Sequence, residues 1–129
     1  MIEESFVSYL LDDAWVSSLV DDRIFPGGIP LKTEYPAISY RRATTRKTMS
    51  HDGPGLAGPV YDFHCWGSGE RDMRELRDAV SRAFDVVTTE DFRSFVENEI
   101  DLGRLSEANR PLAVVSVRIW HDPAIAEAS

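Results

Sequence analysis

The sequence predicts an α+β fold in a single domain, residues 1–129, with a mainly antiparallel sheet of four to five strands, two helices packed on one face and a long extended hairpin. Two stretches, VYDFHCW and PLAVVSVRIW, alternate apolar and polar residues with the period of a strand. Residues 67–87 instead carry an apolar stripe at helical spacing. Because several predicted strands follow one another without a helix between them, most of the sheet is expected to be antiparallel.

The first element is expected to be a helix over residues 2–20. Its apolar residues lie roughly on one face: Ile2, Phe6, Tyr9, Leu10, Val16 and Leu19. Asp12 and Asp13 lie in the middle of this stretch and are able to bend or break it. A group of prolines and glycines then ends regular structure: Pro26, Gly27, Gly28 and Pro30.

A long hairpin is expected next. Its first strand starts after Pro36, where Ile38 and Tyr40 alternate with smaller or charged residues. Its second strand is residues 60–66, with Tyr61, Phe63 and Cys65 on one face. The glycine- and proline-rich connection has no periodic apolar face, and Thr45–Pro59 is therefore predicted to be an arm that extends beyond the body of the domain.

A helix and further strands follow the hairpin. The apolar stripe of the helix contains Met73, Leu76, Val80 and Ala83 or Phe84, and Ser68 or Gly69 is placed to cap it. Residues 92–110 are ambiguous, and much of this segment is interpreted as strand. The last strand follows Pro111, and its core-facing residues are predicted to be Ala113, Val115, Val117 and Ile119.

The charge balance argues against a general nucleic-acid-binding protein. The chain carries 22 acidic and 14 basic residues, a formal net charge of −8, whereas phosphate binding needs a basic face. An acidic surface can instead face passing DNA without adhering to it. No apolar run approaches the ~20 residues of a membrane span, the acidic N-terminus is unlike a signal peptide, and the one cysteine cannot form an internal disulfide.

The residues able to take part in chemistry do not form a recognisable site. The candidate ligands for a metal are His51, Asp52, His64, Cys65, His121 and Asp122. A zinc site needs three or four converging ligands, and no CxxC, HExxH or HxH pattern occurs. His64 and Cys65 are adjacent on a predicted strand and point to opposite faces, which also separates the thiol from its nearest base. The sequence therefore predicts no catalytic residue, no metal and no cofactor.

The candidate functional residues are instead those suited to a protein interface. A basic cluster of Arg41, Arg42, Arg46 and Lys47 in an acidic protein suggests contact with an acidic partner, or it only shields the edge of the hairpin. Trp66 and Trp120 share strand faces with polar residues, where they lie at an interface or under a helix. The full predicted interface is Arg41, Arg42, Arg46, Lys47, Met49, His51, Trp66 and Trp120.

The arrangement resembles the tail terminator, or tail-to-head joining (tail completion), family of long-tailed bacteriophages. The resemblance rests on FVSYLLDDAWVSSLVDDRIFPGGIP, on EYPAISYRRAT, on the strand-to-helix passage PVYDFHCWGSGERDMRELRDAVSRAF and on the final PLAVVSVRIWHD. It covers roughly residues 6–121, and the segment from Thr88 to Arg110 matches least well.

The resemblance implies a structural virion protein, assembled in the host cytoplasm, without catalytic residues or cofactors. Such proteins form a ring, usually of six copies, that caps the tail tube and docks to the neck of the head. The implied partners are other copies of the chain, the tail tube protein and a head-completion protein, with DNA only as passing cargo and no membrane. Two alternatives stay open: a head-completion or neck connector protein, and a small metal-dependent hydrolase.

Overall fold

The computed structural model describes residues 2–43, 59–90, 92–105 and 110–120 of the chain. In chain order the elements are α1 (Ile2–Asp12), α2 (Ala14–Val20), β1 (Ile24–Pro26), β2 (Ala37–Arg42), β3 (Val60–Trp66), α3 (Glu70–Phe84), β4 (Val87–Thr88), β5 (Arg93–Leu105) and β6 (Arg110–Trp120). The predicted α+β class is confirmed. In the described part of the chain, no helix is long and apolar enough to cross a membrane.

Two helices replace the single N-terminal helix expected over residues 2–20. Asp13 separates them, because its backbone is extended and its side chain accepts hydrogen bonds from the amides of Trp15 and Val16, each at 3.0 Å. Such an N-cap satisfies amide groups that have no partner inside the new helix. The described part of the chain therefore has three helices, and the prediction of two is wrong.

Among the described residues the sheet has six strands in the order β1-β2-β3-β6-β5-β4, so the prediction of four to five strands is also wrong. The two edge strands, β1 with three residues and β4 with two, are too short to show a period-two pattern in the sequence. The pairing is antiparallel throughout except between β1 and β2, which are parallel. β1 is held to β2 in part by the bond from the Ile38 amide to the Arg23 carbonyl at 3.0 Å.

The two strands of the predicted hairpin are neighbours in the sheet. β2 and β3 pair antiparallel from Ala37 opposite Trp66 to Arg42 opposite Tyr61. The amide of Ala43 continues the pairing by donating to the Val60 carbonyl at 2.7 Å. The connecting arm predicted for Thr45–Pro59 lies, apart from Pro59, outside the described residues.

The helices pack on one face of the sheet around Phe6 of α1. The Phe6 side chain is fully buried, and its ring makes edge contacts with Tyr40, Tyr61, Phe63 and Phe84 at centroid distances between 4.8 and 6.4 Å. Edge-to-face contacts of this kind add to the free energy gained from burial alone. The predicted inward-facing residues of the last strand are all fully buried: Ala113, Val115, Val117 and Ile119.

β5 confirms the interpretation of the ambiguous segment as strand, but its pairing with β6 is irregular. The register shifts twice, and Glu97 and Leu102 are the extra residues at these bulges. A single extra residue reverses which face the following side chains occupy. Glu99 is consequently opposite Val115, on the face that carries the helices.

Arg77 of α3 fixes the helix to the middle of β5. Its Nη1 donates to both carboxylate oxygens of Asp101, at 2.8 and 2.7 Å, and its Nε lies 3.9 Å from Glu99 Oε1. Asp78 accepts from the same guanidinium at 2.9 Å. Hydrogen bonding to Asp101 is the main cause that raises the pKa of Arg77 above its ordinary value. The bulged stretch of β5 is thus held by ion pairs with Arg77 of α3 as well as by its pairing with β6.

Candidate functional site

Two of the four clustered bases lie at the end of β2. Arg41 and Arg42 are its last two residues, and both are exposed. In the described part of the chain no carboxylate lies within ion-pair distance of either guanidinium. The remaining predicted interface residues of this region lie outside the described residues: Arg46, Lys47, Met49 and His51. A contact through the whole cluster therefore stays a prediction.

The two tryptophans of the predicted interface lie on the third and sixth strands. Trp66 is half-buried, and its Nε1 donates to the Ser39 hydroxyl at 3.1 Å, which gives that buried hydroxyl a partner. Trp66 does not lie under the helices, because the buried residues of β3 that face them alternate with it. Trp120 ends β6 opposite Arg93, and only its backbone is described.

His64 and Cys65 point to opposite faces of β3, as the sequence predicts. Cys65 is fully buried among the core residues, and burial is the main cause that raises the pKa of its thiol. A thiol in such surroundings is inert as a nucleophile, because the reactive form is the thiolate. The two residues therefore cannot form a thiol–imidazole pair.

The structure brings together no metal site among the residues it describes. No group of three or more histidine, cysteine or acidic side chains within residues 2–43, 59–90, 92–105 and 110–120 is arranged to hold an ion. The other predicted candidates lie outside these ranges: His51, Asp52, His121 and Asp122.

His64 gives a testable pH dependence. Burial is the main cause that lowers its pKa below the ordinary value; Arg41 also lowers it, while Asp62 raises it. The folded protein thus binds this proton less readily than the unfolded chain, and the free energy of unfolding is expected to fall as the pH drops below about 6.5. His64→Gln is expected to reduce that loss between about pH 7.5 and pH 5.5, as measured by urea unfolding.

The control for this experiment is His121→Gln, which removes a histidine from a different position. If His64→Gln and the unmodified protein lose the same free energy of unfolding over this pH interval, the pKa of His64 is not lowered in the folded state.

The face of the sheet opposite the helices, here called the outer face, carries both polar and apolar side chains. Residues directly opposite one another on neighbouring strands share a face. One row across the outer face consists of Ser39, His64, Val114 and Ile100, and the next consists of Arg41, Asp62, Ser116 and Asn98. The Ser116 hydroxyl donates to Asp62 at 2.7 Å. Arg118 donates to Glu97 across β6 and β5.

Sequence reasoning missed the part of the outer face that lies on β5. Phe95 and Ile100 are 37% and 45% exposed on this face, and Leu102 at the second bulge is 46% exposed. The signal was present as large apolar residues between acids in the run FVENEIDLG. The two bulges break the period-two alternation of that run, and the segment therefore lacked the pattern by which a strand face is recognised.

Two comparisons with known proteins found matches that cover most of the chain. The family model described as "Tail completion protein gp17" matches residues 5–122. No curated protein matches the chain in sequence. Among solved structures, the fold is similar to that of a chain in "Virion of native gene transfer agent (GTA) particle", with a TM-score of 0.64 and 17% sequence identity over 89% of this chain and 90% of that chain. At this identity the likeness concerns the fold alone.

Proposed function

The chain belongs to the tail completion protein gp17 family, and on that premise we propose that it is a structural, non-enzymatic virion protein of a phage-like particle. Copies of the chain form a ring, usually of six, that caps the tail tube and joins the tail to the neck of the head. The observation that carries the proposal is the family match over residues 5–122.

The fold likeness to a chain of a gene transfer agent virion supports the proposal, because it extends over nearly the full length of both chains. The chemistry of the described residues is compatible with it as well. The thiol of Cys65 is buried, and the exposed groups include the arginines at the end of β2 and apolar residues of β5. Such groups are suited to contacts between proteins.

A ring of identical subunits requires two different surfaces on each copy, which meet head to tail and close by rotation. A channel through such a ring would be bordered by a protein with a net charge of −8. Repulsion between acidic side chains and phosphates would keep the DNA from adhering during its passage. The partners in this proposal are the tail tube protein on one side and a head-completion protein on the other.

The test uses the purified chain alone and mixed with tail tubes that lack a cap. We expect mass photometry to detect a closed oligomer, and electron microscopy to show added density at one end of the tubes. Tubes that already carry a cap are the control and should gain nothing. Binding to DNA-filled heads without binding to tubes would instead assign the chain to the head-completion proteins, and binding to neither would refute a role at the junction.

A further inference from the structure

One edge of the sheet is left largely uncovered. β5 is 13 residues long. β4, its neighbour on the side away from β6, pairs only with Arg93 and Ser94. No strand within the described part of the chain lies beside residues 96–105 on that side. Such an edge presents a row of backbone amides and carbonyls that can pair with another chain, and proteins usually keep these edges short or covered.

The side chains along this edge are both apolar and acidic. Ile100 and Leu102 are 45% and 46% exposed. Glu97, Glu99, Asp101 and Asp78 form the acidic group of this region, and the bases paired with them are Arg77 and Arg118. Arg104 is a further base of β5, so four acids against three bases leave a small surplus of negative charge. The uncovered edge of β5 is therefore an acidic surface with an apolar centre.

At the opposite end of the sheet less of the strand edge is open, and the exposed residues there are basic rather than acidic. β1 covers β2 only as far as Tyr40, and the outer edge of β1 is a poor pairing partner. Pro26 has no amide hydrogen, and the Ile24 amide already donates to the Asp22 carbonyl at 2.9 Å. Beyond β1, β2 continues uncovered through Arg41 and Arg42, both exposed and basic.

The directions of the strands allow these two ends to meet. β2 is antiparallel to β3, β3 to β6 and β6 to β5, so β2 and β5 run in opposite directions. Across the sheet, Arg41 lies in the same row as Asn98, and Arg42 in the same row as Val96. A second copy related by rotation about an axis along the strands would thus bring its β2 end antiparallel to β5, with its two arginines level with the stretch from Val96 to Asn98 that contains Glu97.

We propose that the outer edge of β5, residues 96–103, binds the Arg41–Arg42 end of β2 of a second copy of this chain. The inference rests on the ring given under "Proposed function" and identifies the two surfaces that meet in it. The contact combines charge complementarity, burial of Ile100 and Leu102, and antiparallel pairing between strands of neighbouring copies.

The test is cross-linking through introduced cysteines in the full chain. Arg41→Cys combined with Asn98→Cys, two positions of the same row, is expected to give intermolecular disulfides up to the size of the closed ring under mild oxidation. The two positions cannot be joined within one copy, because two strands lie between them and three strand spacings are about 14 Å, whereas bridged Cα atoms lie at most about 7 Å apart. The native Cys65 is fully buried and adds no background.

The control pair is Arg41→Cys with Arg71→Cys, since Arg71 is exposed but lies in the first turn of α3 and not on β5; it should remain monomeric on denaturing gels. Rings that form without cross-links in the Arg41–Asn98 pair would overturn the inference and leave the proposed function standing. Dimers of the Asn98→Cys single variant would also overturn it, because they would place β5 against β5. Absence of any oligomer would refute both.

A second variant tests the same contact without introduced cysteines, so that its result does not depend on whether a cysteine disturbs folding. Ile100→Asp is expected to raise the concentration needed for half-assembly at least tenfold, with an unchanged urea midpoint for the monomer. Leu11→Asp is its control, because Leu11 is similarly exposed, at 38%, but lies on α1. Equal assembly of Ile100→Asp and the unmodified protein would exclude the β5 edge as the contact.

Discussion

Phe84→Ala is expected to lower the free energy of unfolding by about 3–5 kcal/mol, the range for truncating a large aromatic side chain in a core. Phe84 is the last residue of α3 and is fully buried. Its ring centroid lies 5.0 Å from that of Phe63, 5.7 Å from that of Tyr9 and 6.3 Å from that of Phe92. The substitution therefore removes a ring that connects α1 and α3 to the sheet, and the cavity cannot close without moving all of them.

The measurement is urea unfolding of the monomer, followed by circular dichroism. Phe95→Ala is the matched control. Because Phe95 is 37% exposed, its truncation should lower the free energy of unfolding much less. Similar losses for the two variants would mean that Phe84 is not at the centre of the core.

Gly67→Ala is expected to destabilise the fold by at least the ~1–3 kcal/mol usual for overpacking a core. A Cβ atom at Gly67 would lie 2.6 Å from the Gly69 carbonyl oxygen and 2.7 Å from the Met73 amide nitrogen. Both are backbone atoms at the start of α3, where the Met73 amide donates to that carbonyl at 3.1 Å. Relief of the clash therefore requires the helix to move away from β3, because no flexible side chain can rotate aside.

The control for this variant is Gly28→Ala, since a Cβ at Gly28 meets nothing within 4 Å. Thermal unfolding of both variants separates a local clash from the general effect of replacing glycine. If Gly67→Ala unfolds at the temperature of the unmodified protein, the close approach between β3 and α3 is not required.

The strands and helices with clear periodicity could be predicted from the sequence because burial imposes it. Tyr61, Phe63 and Cys65 alternate on β3, and the stripe of α3 from Met73 to Phe84 is buried as expected. β1 and β4 could not be predicted, because two or three residues carry no period and their pairing is decided by tertiary contacts.

The candidate site was predictable only in part. Its basic end was visible as a local contrast of charge, and Arg41 and Arg42 are exposed as that contrast suggested. Its acidic and apolar end on β5 was visible only as large apolar residues between acids, because the exposure of Ile100 and Leu102 depends on two bulges and on the short length of β4. These are properties of strand register, which a single sequence specifies through many weak contacts rather than through one pattern.

The position of β6 constrains when a subunit can fold. β6 is the last described strand in chain order but lies between β3 and β5 in the middle of the sheet. During synthesis β3 has β2 as a partner but lacks its second partner until the chain from Arg110 onward is made, and β5 lacks its long partner until then. A nascent chain on the ribosome cannot complete its core or the β5 edge that β6 supports. Incomplete chains would thus be unable to enter the proposed ring, and truncation before Arg110 should yield aggregated rather than folded protein.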